Sequence, residues 1–190
     1  TKEKLEAESK KFLEGKKLDS TKKYYTLLIG GNGSGYSFDD EFFDKLISFV
    51  KEVSKKDNIS WLITTSRRTP VDIEKKLQSE LKEFSSYFVA YNQKEEKALL
   101  PFLGLCEKVF VTEESSSMIS EAISSKKNVY TIGIKESKPD NNYKKILNKF
   151  ENGKKIFRLN SEKLCENYFD NIDFKFSKIN SSEDKYKDIF

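Results

Sequence analysis

Histidine is absent from this 190-residue chain. Without an imidazole, neither Ser-His-Asp nor Cys-His catalysis can be built within the chain, and neither can a His-ligated zinc site. No metal is expected. Cysteine is scarce. Cys106 and Cys165 lie far apart in apolar helical stretches, which reads as two reduced, buried thiols in a reducing compartment. Arginine is nearly missing too: of 35 basic residues only Arg67, Arg68 and Arg158 carry a guanidinium. Lysine and glutamate are interleaved, the net charge is only +4, and no face or helix carries a purely basic stripe. A nucleic-acid partner is therefore not expected. No apolar run approaches the roughly 18 residues that span a bilayer, and no signal peptide is visible. The reading is a cytoplasmic protein, with a peripheral membrane or protein contact as a second option.

Glycine is sparse as well, but it is concentrated. Four of the eight glycines fall in Gly30-Gly31-Asn32-Gly33-Ser34-Gly35, directly after the apolar run Tyr24–Ile29. A strand that ends in such a loop and then enters a helix can hold a phosphate, because glycine lets the backbone approach an anion and the helix presents free N–H groups. Gly31, Asn32, Gly33 and Ser34 are the candidate contacts. A plain tight turn is the alternative. The spacing G-x-G-x-x-G is absent, and Gly30-x-x-x-x-Gly35 is followed by Tyr36-Ser37 rather than Lys-Ser, so dehydrogenase and ATPase readings both weaken.

Six short β-like runs alternate with helical stretches: Tyr24–Ile29, Ile59–Thr64, Tyr87–Tyr91, Lys108–Val111, Asn128–Ile132 and Lys155–Leu159. The alternation predicts an α/β fold, a Rossmann-like three-layer domain with a mainly parallel six-stranded sheet. Ser37 and Asp40 form a candidate capping box for the first intervening helix. Thr69-Pro70 reads as a second helix start, with Thr as cap and Pro at the first helical position. Shorter helices are expected at Glu95–Leu105, Ser116–Ser124, Asn142–Glu151 and Ser161–Phe169. Residues 1–18 form an outlying linker or crossover helix, whose Leu5, Phe12 and Leu13 face a partner element. Residues 19–169 make the domain, and residues 170–190 a tail or strap. In such sheets ligands sit at the carboxyl ends of the strands. That places Gly30–Gly35, Thr65–Thr69, Asn92 and Thr112–Ser116 along one edge.

Two further segments carry chemistry. Thr64-Thr65-Ser66-Arg67-Arg68-Thr69-Pro70 ends a strand and opens a helix, with two of the three arginines beside hydroxyls. Guanidinium forks suit phosphate oxygens, so Arg67 and Arg68 are phosphate candidates; the alternative is a pair of packing arginines. In Val111 through Ala122, the residues Met118, Ile119, Ala122 and Ile123 form the buried stripe of a helix. Ser115 and Ser116 stand at its start, where hydroxyls and free N–H groups could hold a diphosphate. Ser117 and Glu121 share the opposite side. Glu121 lies roughly 7 Å along the axis, within reach of the ribose of the same nucleotide. An ordinary serine-capped helix with a solvated glutamate is the alternative.

Leu28-Ile29-Gly30-Gly31-Asn32, Thr64 through Pro70, and Val111-Thr112 through Ser120-Glu121-Ala122 resemble the mitochondrial-fission Elm-type family of plants and many bacteria. The resemblance spans roughly residues 1–150 and covers the second half of the usual family chain, so an amino-terminal domain is expected to be missing. The family looks like the GT-B glycosyltransferases and related nucleotide-sugar epimerases. It implies that the chain is the carboxy-terminal, donor-binding half of such a protein. Ser115, Ser116 and Ser117 would then contact the diphosphate of a nucleotide-sugar and Glu121 the ribose, with Gly31 and Gly33 near phosphate or sugar. The departures from the usual pattern are Gln93-Lys94 after Asn92, Glu114 where the family has Asp, and Lys126-Lys127-Asn128-Val129 before the fifth strand. The rival function is a non-enzymatic adaptor that kept the fold. Either way, the fragment alone is expected to show no turnover, and no cofactor beyond the nucleotide-sugar substrate is implied.

Overall fold

Short apolar runs with little polar interruption are what strands buried on both faces require, and all six runs give rise to strands, the four central ones mostly buried and the two edge ones half-buried. A computed structural model describes residues 2–177. Its elements are α1 (Lys2–Gly15), β1 (Tyr24–Leu28), α2 (Asp40–Asp57), β2 (Ser60–Thr64), α3 (Val71–Glu80), β3 (Ser85–Val89), α4 (Leu99–Leu105), β4 (Lys108–Thr112), α5 (Ser116–Ser124), β5 (Asn128–Gly133), α6 (Asn141–Asn152), β6 (Phe157–Asn160) and α7 (Leu164–Asp170). The sheet order is β3-β2-β1-β4-β5-β6, and every pairing is parallel. This is the Rossmann arrangement. The order reverses between β1 and β4, which pair side by side with Leu28 opposite Val111.

The two faces of the sheet differ in chemistry. Tyr25, Trp61, Phe110 and Tyr130 lie on one face and pack edge-on or stacked against each other, with Phe49 of α2 and Tyr168 of α7 above them. At the amino-terminal edge of this face, Asp57 accepts hydrogen bonds from the hydroxyls of Tyr25 (2.9 Å) and Tyr168 (2.6 Å). The other face mixes small and aliphatic residues with Tyr24 and Tyr87, and Thr26 donates to the Phe102 carbonyl of α4 at 3.2 Å. No described helix is long and apolar enough to cross a membrane.

Several local expectations are corrected. Asp39, not Ser37, caps α2, its carboxylate accepting from Phe42 N–H at 2.9 Å. The reason is a hydrophobic staple: buried Phe38 meets Phe43 edge-on at 6.4 Å and also stacks on Phe42 at 4.3 Å, which fixes the next residue as the cap. Thr69 does not cap α3, and Pro70 precedes the helix rather than opening it; the Thr69 hydroxyl donates to the Gly30 carbonyl instead, at 2.7 Å. The helix expected from Glu95 begins at Leu99. That start puts Pro101 in the first turn, where its missing N–H costs nothing. The last helix opens with a 3₁₀ turn at Ser161–Lys163.

Helix α1 packs on α4 of its own chain. Phe12 meets Tyr87 and Phe102 edge-on at 5.1 and 5.6 Å, and Ser9 donates to the Pro101 carbonyl at 3.2 Å. Beyond α7, Phe174 packs on Phe157 and Phe176 on Tyr130, and Ser177 N–H donates to the Lys154 carbonyl at 2.9 Å. The rest of the expected tail, residues 178–190, lies outside the described residues.

Phe12→Ala removes a 9 % exposed ring and should cost about 3 kcal/mol. Limited proteolysis is expected to cut within α1 while the sheet core survives. A variant as protease-resistant as the parent would show that Phe12 does not fasten α1.

Candidate functional site

The reversal of strand order makes the site. The chain leaving β1 turns toward β2 and the chain leaving β4 turns toward β5, so the two exit loops face each other across a crevice. Hydrogen bonds join them at the glycines and at Ser34. Gly30 N–H donates to Thr112 Oγ1 at 2.8 Å, Gly31 N–H to Glu114 Oε1 at 3.2 Å, and Ser34 Oγ to the Glu114 carbonyl at 2.9 Å.

The glycine loop closes as a tight hairpin. Gly33 and Tyr36 exchange backbone hydrogen bonds of 3.0 and 2.8 Å, and the two central residues, Ser34 and Gly35, have φ of 50° and 83°. Both signs are those of a type I′ turn. Asn32 accepts from Phe38 N–H at 2.8 Å and so sets the entry to α2. The space beside the glycines is not empty. A Cβ at Gly30 would collide with Glu114 Oε1, and one at Gly33 with Arg68 Nη1. The expected open phosphate cradle is thus altered: the amides of Gly31 and Gly33 are engaged within the protein, and Glu114 and Arg68 fill the volume next to them.

Glu113 and Glu114 are adjacent, buried and treated oppositely. Glu113 is fully partnered. Arg158 donates from Nε at 2.6 Å and Nη2 at 3.0 Å, Tyr36 donates its hydroxyl at 2.9 Å, and Thr131 donates at 2.8 Å. The third arginine is therefore structural. The Glu114 side chain is fully buried. Its Oε1 accepts from Gly31 N–H and from Arg68 Nη2, each at 3.2 Å, while Oε2 has no partner. Burial pushes this carboxyl up to about 7; the Thr112 hydroxyl, Arg68 and Gly31 only partly offset it.

The first turn of α5 completes the crevice. Ser115 is the cap residue and is buried, yet no side chain caps the helix. The first intrahelical bond runs from Ile119 N–H to the Ser115 carbonyl at 3.0 Å, so the amides of Ser116, Ser117 and Met118 precede the helix ladder and carry its positive end. Ser116 and Ser117 are exposed. Met118, expected in the buried stripe, is only half-buried and lines a cavity of about 700 Å³. Arg67 lines the same cavity, with Tyr91, Leu99 and Leu100. Among the described residues Arg67 has no hydrogen-bond or ion-pair partner.

The cavity wall is held from behind. Thr65 Oγ1 donates to buried Glu74 Oε1, which also accepts from Asn92 N–H at 3.1 Å. Asn92 Nδ2 donates to the Thr69 carbonyl at 2.7 Å. This ties the loop after β2 to the loop after β3. Of the expected site residues, the structure therefore brings Gly31, Gly33, Ser34 and Arg68 together around Glu114. Arg67 stands with Met118 on the cavity. Glu121 is exposed on α5 outside the cavity lining, with its carboxyl raised above the ordinary range by partial burial. Sequence reasoning missed Glu114 and Glu74 as buried acids, and it missed Tyr91 and Met118 as cavity walls. No group of described residues could hold a metal through three or more His, Cys, Asp or Glu ligands.

The family described as Mitochondrial fission ELM1 matches residues 1–170. The chain belongs to this family. The Elm-family match takes in α1 and the whole sheet through β6, and so includes both loops of the crevice. Among solved structures, E. coli ADP-heptose LPS heptosyltransferase II is similar with a TM-score of 0.52 and 10% sequence identity, over 68% of this chain and 38% of that one. The chain thus spans well under half the length of that enzyme. At this identity the likeness shows the fold alone, a Rossmann-like domain as in GT-B glycosyltransferases. No curated protein matches the sequence significantly.

The raised carboxyl has a consequence for stability. The folded value of about 7 lies above the ordinary 4.5. The group's contribution is therefore complete below the ordinary value and is lost as pH rises through this window, up to about 3 kcal/mol. Glu114→Gln keeps an oxygen for Gly31 and Arg68 but removes the charge. Its melting temperature relative to the parent is expected to rise between about pH 5 and pH 8. A constant difference across that range would contradict the buried charge.

Proposed function

We propose that this domain holds the donor of a GT-B-like glycosyltransferase, a nucleotide-diphosphate-sugar. The observation that carries the reading is the uncapped, serine-lined start of α5 at the strand-order reversal, bordered by a cavity in which one arginine is unpartnered. The amides and hydroxyls of Ser116 and Ser117 receive the diphosphate, with buried Ser115 fixing the turn. Arg67 adds a cation from the opposite wall. Tyr91, Leu100 and Met118 offer apolar surface for the base, and Glu121, about one and a half turns into α5, is the ribose partner. Gly31, Asn32, Gly33 and Ser34 shape the floor rather than supplying open amides, and Arg68 serves from its place on Glu114. In transfer, the bond from the anomeric carbon to the diphosphate breaks as the acceptor oxygen bonds to that carbon. Helix amides and arginine take up the charge that develops on the leaving diphosphate, and a base from another domain takes the acceptor proton.

The adaptor reading draws support from one feature: Glu114 and Arg68 already occupy the space beside the glycines, as in a site that has closed. Calorimetry separates the two. UDP-, GDP-, CDP- and ADP-sugars should include one that binds, whereas an adaptor gives no heat with any. For the nucleotide that binds, Arg67→Ala should weaken affinity about tenfold, the loss of one charge-assisted hydrogen bond. Unchanged affinity would remove Arg67 from the site.

A further inference from the structure

We infer that donor binding at the start of α5 takes up a proton from solvent and that Glu114 is the group that receives it. The inference rests on the donor reading above and adds to it a proton linkage that the site's geometry requires.

Glu114 immediately precedes Ser115, the cap residue of the helix proposed to receive the diphosphate. Its side chain is sealed from water, with one oxygen bonded and the other without a partner. An ionised carboxylate in that state is costly, because half of its charge is unsolvated. The groups that face it come from every packed element. Arg68, in the loop after β2, is the one cation in contact among the described residues. The Gly31 amide faces it from the β1 loop and the Thr112 hydroxyl from the end of β4. Tyr143 of α6 faces it as a neutral phenol, its own ionisation pushed up by burial and by the two glutamates. Glu113 is committed to Arg158 of β6. The Thr112 hydroxyl, the backbone amides and the ion pair with Arg68 together favour the charged form of Glu114, and of these Arg68 carries the positive charge and is partly exposed, with 37 % of its side chain accessible.

A diphosphate at Ser116 and Ser117 disturbs this balance in two ways. It adds negative charge close to Glu114, and it competes for the positive field of Arg68. Both favour the neutral carboxyl. A proton then passes from a buffer acid to Glu114, forming an O–H bond and leaving the conjugate base in solution, and Arg68 turns its charge to the ligand. The two cysteines sit far from neutral, at about 11 and about 12, and the chain has no histidine. The carboxyl of Glu114, at about 7, is placed to change its charge within the physiological range.

The test is calorimetry of the 190-residue chain with UDP-glucose, GDP-mannose, CDP-glucose and ADP-glucose in buffers of different ionisation enthalpy. The diphosphate of these probes is esterified at both ends and does not itself titrate near neutrality. For the probe that binds, the enthalpy should depend on the buffer at about pH 7.5, with uptake of roughly half a proton or more, and become independent of it at about pH 5.5. Glu114→Gln should bind without uptake at either pH. Binding without proton uptake at pH 7.5, or equal uptake by the variant, overturns the inference and leaves the donor reading standing. Should the variant not fold, uptake by the parent that persists at pH 5.5 overturns it. No binding by any probe overturns both.

Discussion

The absence of a side chain at Gly30 is the constraint on which the crevice depends. Only a bare Cα lets the Glu114 carboxylate lie against the exit of β1. From that contact follow the hydrogen bond to Gly31, the ion pair to Arg68 and the placement of Ser34 on the Glu114 carbonyl. The β4 exit is thereby locked to the β1 exit, and the first turn of α5 is presented at a fixed height. A protein anion and a ligand anion would share the same neighbourhood. That sharing makes the site both electrostatically tense and sensitive to protons.

The rest of the molecule supplies rigidity to that point. The aromatic face fixes the middle of the sheet, and the Tyr25–Asp57–Tyr168 hydrogen bonds close its amino-terminal edge. On the carboxyl edge, Arg158 neutralises Glu113, so that of the two adjacent acids only one keeps an unpartnered oxygen. The Glu74 and Asn92 bonds hold the cavity wall in the same way from the β2 side. Among the described residues two buried carboxylate oxygens are left without a partner, Glu114 Oε2 beside the proposed ligand site and Glu74 Oε2 behind the cavity wall.

The fold was legible because parallel strands covered on both faces write themselves as continuous apolar runs, as in Tyr24–Leu28 and Lys108–Thr112. Helix α5 was legible because Ser115 and Ser116 follow a strand and precede an apolar stripe. Its details were less so. Met118 has helical spacing with Ile119 and Ala122, yet it sits at the edge of the stripe and faces the cavity. The start of α4 depended on how the missing donor of Pro101 would be absorbed. Least legible was Glu114. In Glu113-Glu114, nothing in the sequence says which carboxylate meets Arg158 and which meets Gly30. That choice is made by two loops separated by some 80 residues and brought together only by the strand order. The same holds for the glycines, whose clustering suggested an open cradle and whose actual partners are side chains of this chain.

The most direct measurement of the central claim is a map of backbone amide chemical shifts during titration with nucleotide-sugars. The account predicts that the largest perturbations fall on Ser116, Ser117 and Met118, with Arg67 and Tyr91 next. Perturbations centred elsewhere, with these amides unmoved at saturation, would contradict it.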